Sequence, residues 1–204
     1  MMLPSLNRLP FRVELATVPE RVDWAAVQRR FPERPLDGLS ERRQREHAAV
    51  DAAMQAWGGA EIRHEDSGAP QMAGAAVSIS HAELPGGAVW AAVAVGAAGQ
   101  RLGVDVERPR PQLARVAPRI FAESELAGTA GDPKLQCVVW NVKEAAWKAL
   151  GPDLDYAHDI EILELPGLAL LTEGGQIPVR VRQTTHSFYV AFLDHDLSLA
   201  AGPV

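Results

Sequence analysis

The segment KLQCVVWNVKEAAWKALG, residues 134–151, carries the strongest pattern in the chain. Apolar residues recur in it at helical spacing, which predicts a helix over about 133–150 that ends at Gly151 and Pro152. Glu144 lies almost opposite the main apolar stripe, and a second apolar ridge runs beside it. The stripe consists of Leu135, Val138, Val139, Val142, Ala146 and Ala149, and the second ridge of Trp140 and Trp147.

A helix that is apolar on two sides is typical of an element between two packed layers. We therefore expect this helix at the junction of two halves of the protein, with Glu144 and Lys148 facing a cleft. The alternative is an ordinary amphipathic helix on which these two side chains form a surface ion pair, which contributes only about 0.3 to 0.5 kcal/mol. The tryptophan ridge favours the first interpretation.

The segment GVDVE, residues 103–107, has the composition of a buried β-strand interrupted by two acids. Because strand side chains alternate, Asp105 and Glu107 share one face, about 7 Å apart, while Val104 and Val106 share the other. Two like charges held partly out of water require a proton, a basic neighbour or a divalent cation. Taken alone, the triplet is better explained by an exposed strand face.

With Glu144 as a third carboxylate, Asp105 and Glu107 provide the oxygen ligands that Mg²⁺ prefers. Since Mg²⁺ sites usually include phosphate oxygens of the substrate, this set predicts a phosphoryl substrate. Lys148, one helical turn after Glu144, is placed to neutralise charge on a phosphate. His81, which ends the strand SISH, could hydrogen-bond the same group, although a histidine at the end of a strand is more often structural.

Composition excludes several classes of protein. The formal net charge of −6 argues against nucleic acid as a partner. Residues 28–45 are nevertheless strongly basic, and they form either a solvated helix face or a segment that binds an anion. Cys137 is the only cysteine and can form no internal disulfide. We find no export signal at the first residues and no run of roughly 18 apolar residues, so we expect a cytoplasmic protein without a membrane segment.

Strand and helix patterns occur once before residue 100 and once after it, which predicts an α+β fold of two halves, residues 1–100 and residues 101–204. The second half carries the proposed metal ligands. Strands are predicted at 11–18, 75–81, 88–97, 101–107, 159–165, 168–172, 177–185 and 188–194; helices at 23–31, 40–57, 112–128 and 133–150; and a loop at 61–75.

Three motifs in this order, SISH (78–81), GVDVE (103–107) and WNVKEAAWK (140–148), resemble the 4'-phosphopantetheinyl transferase superfamily. The resemblance covers about residues 40–165 and is to the single-chain, surfactin-synthetase-activating type. The loop EDSGAPQMAG before SISH looks like that of enterobactin-type bacterial members. The resemblance implies two pseudo-symmetric α+β halves with the active site at their interface.

The resemblance also implies an activity. Such an enzyme transfers the 4'-phosphopantetheine arm of coenzyme A to a serine of an apo acyl or peptidyl carrier protein and releases adenosine 3',5'-bisphosphate, as a holo-acyl-carrier-protein synthase does. Mg²⁺ is the implied cofactor, coenzyme A the co-substrate and the carrier protein the partner. Because two halves in one chain can complete a cleft, a monomer is expected.

The resemblance assigns roles to individual residues. Asp105, Glu107 and Glu144 match the Mg²⁺ ligands, and Glu144 also matches the carboxylate that takes the serine proton, directly or through water. Lys148 matches the lysine that steadies the pyrophosphate. The implied catalytic residues are Glu144, Lys148 and His81; the implied coenzyme A-binding residues are Ser80, His81, Arg42, Arg43, Arg45, Lys143 and Lys148.

Two other functions are compatible with parts of the pattern. A metal-dependent nuclease can also have an aspartate followed by E-x-K, but Pro109 stands where the lysine would be, and the net charge is unsuited to a nucleic-acid groove. A non-catalytic relative that binds coenzyme A or a carrier protein would have no need of the complete acidic set with Lys148.

Overall fold

A computed structural model describes residues 4–193 and 197–204 of the chain. The described residues divide into two compact units. We call Phe11–Gln100 the N-terminal unit, and Arg101–Val204 together with residues 4–10 the C-terminal unit. Six α-helices and three antiparallel sheets are present among the described residues, which confirms the mixed α+β class.

The N-terminal unit is a three-stranded antiparallel sheet, in the order β1-β5-β4, with a long helix packed on it. A two-stranded hairpin, β2-β3, precedes β4. The elements are β1 (Arg12–Thr17), α1 (Trp24–Arg30), α2 (Glu41–Ala53), β2 (Arg63–His64), β3 (Pro70–Gln71), β4 (Ala75–Glu83) and β5 (Val89–Ala97).

Capping residues set the helix boundaries in this unit. The Asp23 carboxylate accepts a hydrogen bond from the backbone N–H of Ala26 at 3.0 Å, and the Ser40 hydroxyl accepts one from that of Arg43 at 3.4 Å. After α2 the chain continues as a 3-10 turn, Met54–Trp57, and leaves it at Gly58 with φ +55°. The predicted helices are confirmed, whereas the segment 61–75 contains the β2-β3 hairpin in addition to loop.

The C-terminal unit is a five-stranded antiparallel sheet, in the order β6-β10-β9-β8-β7, covered by its longest helix, α5. Its elements are β6 (Gly103–Glu107), α3 (Pro111–Ile120), α4 (Glu123–Thr129), α5 (Pro133–Leu150), β7 (Ile160–Ile162), α6 (Leu168–Glu173), β8 (Gly175–Val181), β9 (Thr184–Leu193) and β10 (Leu197–Gly202).

Helix α5 begins and ends where its sequence requires. The Asp132 carboxylate caps the helix by accepting from the backbone N–H groups of Lys134 and Leu135, at 2.8 and 3.1 Å. Gly151, with φ +137°, ends it. Four of the six stripe residues, Val138, Val139, Val142 and Ala146, are fully buried, so the predicted core face of the helix is confirmed.

Strand β6 lies unusually close to α5 at Gly103. A Cβ at this position would lie 1.9 Å from the carbonyl oxygen of Ala145, so only glycine fits here without moving the backbone. This contact sets the acidic segment of β6 beside the helix that carries Glu144 and Lys148.

Several predicted elements of the C-terminal unit were wrong. The segment LALLT, predicted as a strand, lies in α6, and the region 112–128 is two helices broken at Phe121 and Ala122. Segment 177–185 is not one strand, because the chain turns at Arg182, which has φ +52°. Strand β10 was not predicted, and the end of the predicted strand 188–194 lies outside the described residues. No helix among residues 4–193 and 197–204 is long and apolar enough to cross a membrane.

Candidate active site

Asp105 and Lys148 form an ion pair in the C-terminal unit. The Lys148 Nζ donates to Asp105 Oδ1 at 2.8 Å and to the Val104 carbonyl at 3.0 Å. The Asp105 side chain is 6% exposed, whereas that of Lys148 is 23% exposed. The lysine therefore compensates a buried carboxylate and keeps part of its own surface accessible.

Glu107, two residues further along β6, is paired with Arg110. The distance from Arg110 Nη2 to Glu107 Oε1 is 2.5 Å, and the Glu107 side chain is 19% exposed. Burial, together with the negative charge of Asp105, raises the pKa of Glu107 to about 7, and Arg110 opposes this rise only in part. Glu107 therefore titrates near neutral pH.

Glu144 faces the same acidic group from α5. Burial and then the charge of Asp105 raise the pKa of Glu144, and a hydrogen bond from Tyr156 works against the rise. The Tyr156 hydroxyl donates to Glu144 Oε1 at 2.8 Å. Asp105 therefore acts electrostatically on both glutamates, and we call Asp105, Glu107 and Glu144 the acidic cluster.

The donor set of this cluster suits Mg²⁺, since it offers three carboxylates and no soft ligand. Within residues 4–193 and 197–204, however, no three acidic, histidine or cysteine side chains converge closely enough to hold a metal ion. Each carboxylate has a protein partner instead: Lys148 for Asp105, Arg110 for Glu107 and Tyr156 for Glu144. The three carboxylates are suitable ligand types for Mg²⁺, and in this structure they accept contacts from protein donors.

Lys143 lies elsewhere than a phosphate-binding residue would. Its side chain is fully buried, and its ammonium lies 2.9 Å from Glu125 Oε2. It also donates to the carbonyl of Tyr156 at 2.6 Å and to that of Ile160. All of these contacts are internal, so the structure does not bring Lys143 to the acidic cluster.

In the N-terminal unit, a buried glutamate lies close to three of the seven predicted coenzyme A-binding residues. Glu46, on α2, is 4% exposed. Its Oε1 accepts from Arg42 Nε at 3.0 Å, while its Oε2 lies 3.3 Å from Arg43 Nη1 and 3.4 Å from His81 Nε2. Sequence reasoning missed Glu46, although its spacing of three and four residues from the arginines is the spacing of helical ion pairs.

A cavity of about 180 Å³ opens beside this cluster. Its charged and polar lining combines two arginines with three histidines, and Phe31 contacts two of the histidine rings. Burial lowers the pKa of His47 and of His64, so both are neutral at pH 7. The polar lining consists of Arg34, Arg43, Glu46, His47, His64 and His81.

Two other predicted residues lie apart from this cavity. Ser80 precedes His81 on β4 and so points to the opposite face of the sheet, where it is buried. Arg45 lies on α2, but its Nη1 is beside Gly87, at the turn between β4 and β5. The structure therefore brings together Arg42, Arg43 and His81, but not Ser80 or Arg45.

Comparison with known families finds a match within the C-terminal unit. Residues 101–199 match the model of the 4'-phosphopantetheinyl transferase superfamily. The match covers just under half of the chain and runs from β6 into β10, so it includes the whole acidic cluster and Lys148. A search of curated proteins finds no relative that matches the chain.

The matched segment contains functional candidates that the motifs did not reveal. Arg110 lies three residues after Glu107, in RPRP, where the two prolines indicate a break in the chain and nothing indicates an ion pair. Tyr156 lies in an irregular segment 12 residues after Glu144, where no periodicity exists to indicate a contact. Only the fold brings its hydroxyl to the acidic cluster.

Proposed function

We propose that the protein transfers 4'-phosphopantetheine from coenzyme A to a serine of an apo acyl or peptidyl carrier protein, in a Mg²⁺-dependent reaction. The observation that carries the proposal is the superfamily match over residues 101–199, which contains Asp105, Glu107, Glu144 and Lys148. The match supports phosphopantetheinyl transfer in general. The surfactin-synthetase-activating subtype rests on the motif resemblance.

We assign Mg²⁺ to Asp105, Glu107 and Glu144, where the bound ion would neutralise charge on the coenzyme A pyrophosphate. Lys148 adds a second positive charge at the same acidic cluster, and its partial exposure suits contact with a phosphate. The repulsion among the three carboxylates supports this assignment. Asp105 raises the pKa of both glutamates, and a bound divalent cation would relieve this repulsion.

In the chemical step, the serine oxygen bonds to the phosphorus that carries the pantetheine arm, and the bond from that phosphorus to the bridging pyrophosphate oxygen breaks. Adenosine 3',5'-bisphosphate leaves with the bridging oxygen. Glu144 accepts the serine proton, directly or through water. The raised pKa of Glu144 makes its carboxylate a stronger base than an exposed one, which suits this role.

For the nucleotide end of coenzyme A, we propose the cavity of the N-terminal unit. Arg43 and His81 line it beside Glu46, and Arg42 shares that glutamate. Such a set can donate charge-assisted hydrogen bonds to a phosphate, with the neighbouring carboxylate fixing the donors. Ser80 and Arg45 stay predictions, and we leave the buried Lys143 out of the proposed contacts.

Segment 108–120, which ends with helix α3, supports a carrier protein as partner. The segment 108–120, RPRPQLARVAPRI, contains four arginines and no acidic residue, although the whole chain has a net charge of −6. Val116 on this helix is 41% exposed. A basic surface with an apolar contact is suited to an acidic helical partner.

The test is an intact-mass measurement. The protein is incubated with coenzyme A, MgCl₂ and several apo carrier proteins, and each carrier is weighed. We expect a gain of one phosphopantetheine, abolished by EDTA. Absence of this gain on every carrier would overturn the proposal, and cleavage of DNA or binding of coenzyme A without transfer would identify the rival functions.

Variants of the acidic cluster sharpen the test. Asp105→Ala and Glu144→Gln should each lower turnover at least about 100-fold without unfolding the protein, because one removes a metal ligand and the other the base. Glu123→Gln, an exposed carboxylate on α4, is the matched control and should retain full turnover. Near wild-type turnover of either cluster variant at saturating Mg²⁺ would refute the metal assignment.

A further inference from the structure

Tyr156 is held at the acidic cluster by its ring and by its hydroxyl. Its ring centroid lies 5.4 Å from that of Trp140 and 6.3 Å from that of Trp147, two residues that lie about two turns apart on one face of α5. Its hydroxyl donates to Glu144 Oε1 at 2.8 Å. The second apolar ridge of α5 therefore packs this tyrosine against the carboxylate that lies between the two tryptophans.

The backbone of Tyr156 is fixed from the same helix. Lys143 Nζ donates to the Tyr156 carbonyl at 2.6 Å, and the fully buried Lys143 is balanced by Glu125 at 2.9 Å. Glu125 is itself anchored, because its carboxylate accepts from the backbone N–H groups of Ala122 at 2.7 Å and Ile162 at 2.8 Å. These buried contacts hold the Lys143 side chain in one conformation, and Lys143 in turn holds the Tyr156 backbone.

We propose that Tyr156 is a positioning residue for Glu144, and that Lys143 and Glu125 serve the site by fixing Tyr156. The neighbours Lys143 and Glu144 then have linked roles. Lys143 holds the backbone of Tyr156, and the Tyr156 hydroxyl orients Glu144. This inference rests on the proposed function, since it gives Glu144 an orientation for binding a metal ion and accepting a proton.

The physical reason is that a hydrogen bond to one carboxylate oxygen fixes the plane of the group and leaves the other oxygen for a ligand. Hydrogen-bond partners behind a metal ligand typically contribute 10- to 100-fold in metal affinity or activity. Tyr156 suits this role because a phenol is protonated at neutral pH, so its hydroxyl stays a donor to Glu144.

The test is Mn²⁺ binding to the full chain, measured by electron paramagnetic resonance without coenzyme A or carrier. Tyr156→Phe keeps the ring between the tryptophans and removes only the hydroxyl. We expect an about 10- to 100-fold weaker Mn²⁺ affinity with an unchanged unfolding midpoint in urea. Tyr189→Phe, which alters the other tyrosine of the chain, is the matched control and should bind Mn²⁺ as the wild type does.

A second comparison separates positioning from packing. In a Glu144→Gln background, Tyr156→Phe should weaken Mn²⁺ binding no further, because the hydroxyl acts through Glu144. Wild-type Mn²⁺ affinity in the Tyr156→Phe variant, or additive losses in the double variant, would overturn the inference, as would a wild-type protein that binds no Mn²⁺. Failure of carrier modification with an intact Tyr156 effect on Mn²⁺ would instead refute the proposed transfer reaction alone.

Discussion

Replacing Glu107 with glutamine removes a charge that the folded protein accommodates at a cost. The pKa of Glu107 is raised from its ordinary 4.5 to about 7, chiefly by burial and then by Asp105. A carboxyl with a higher pKa in the folded than in the unfolded state binds its proton more tightly when folded, so stability falls as pH rises from about 4.5 to about 7. Above pH 7, the ionised Glu107 lowers the free energy of unfolding by about 3 kcal/mol.

Glu107→Gln should therefore stabilise the protein in a pH-dependent way. We expect a gain of about 3 kcal/mol in the free energy of unfolding at pH 8 and of under about 1 kcal/mol at pH 5, where the folded state still holds the proton. The loss of the ion pair with Arg110 is already contained in the raised pKa. Urea unfolding without metal, followed by tryptophan fluorescence at both pH values, measures the two gains.

Glu123→Gln is the control, because this exposed carboxylate should change stability by less than about 0.5 kcal/mol at either pH. Added Mg²⁺ should stabilise the wild type at pH 8 more than it stabilises Glu107→Gln, since the variant lacks one proposed ligand. A variant no more stable than wild type at pH 8, or stabilised equally at both pH values, would show that Glu107 is not under electrostatic strain.

Two further predictions concern the basic residues. Lys148→Met should destabilise the metal-free protein by about 3 kcal/mol, because it removes the ammonium from the buried Asp105, and Mg²⁺ should recover part of the loss in urea unfolding. The control is Lys134→Met, on the same helix, which loses an exposed cation–π contact with Phe192 and should change stability by less than about 1 kcal/mol. Arg43→Ala should raise the KM for coenzyme A about tenfold with a smaller change in kcat, as loss of one charge-assisted hydrogen bond requires. The control is Arg21→Ala, at an exposed arginine. Equal KM values for the wild type and both variants would refute the cavity assignment.

The sequence was most informative where the pattern is long and regular. Helix α5 could be predicted because 18 residues repeat an apolar spacing and end at a glycine. The segment LALLT could not, because five residues rich in leucine fit a strand or a helix equally well, and packing decides between them. Its Leu171 is buried in the core of the C-terminal unit, which selects the helix α6.

The candidate site was predictable only as a set of charged residues. Alternation along GVDVE correctly placed Asp105 and Glu107 on one face, but the partner of each carboxylate depends on the fold. Lys143 illustrates the limit: it precedes Glu144 in the motif, yet its side chain points into the core towards Glu125. Adjacent helical residues point about 100° apart, so a motif that contains both can serve two different environments.

The geometry of the acidic cluster depends on contacts to the backbone of β6 more than on its carboxylates. Gly103 allows the strand to approach α5, and the Asn141 amide donates to the carbonyl of Asp105 at 3.4 Å and to that of Ser198, on the neighbouring strand β10, at 2.6 Å. Lys148 adds a third tie through the Val104 carbonyl. Because these ties hold main-chain atoms, a ligand that replaces the side-chain partner of Asp105 or Glu107 leaves the strand in register with the helix. For the Mg²⁺ proposed above, these backbone contacts would keep β6 in place when the carboxylates change partners.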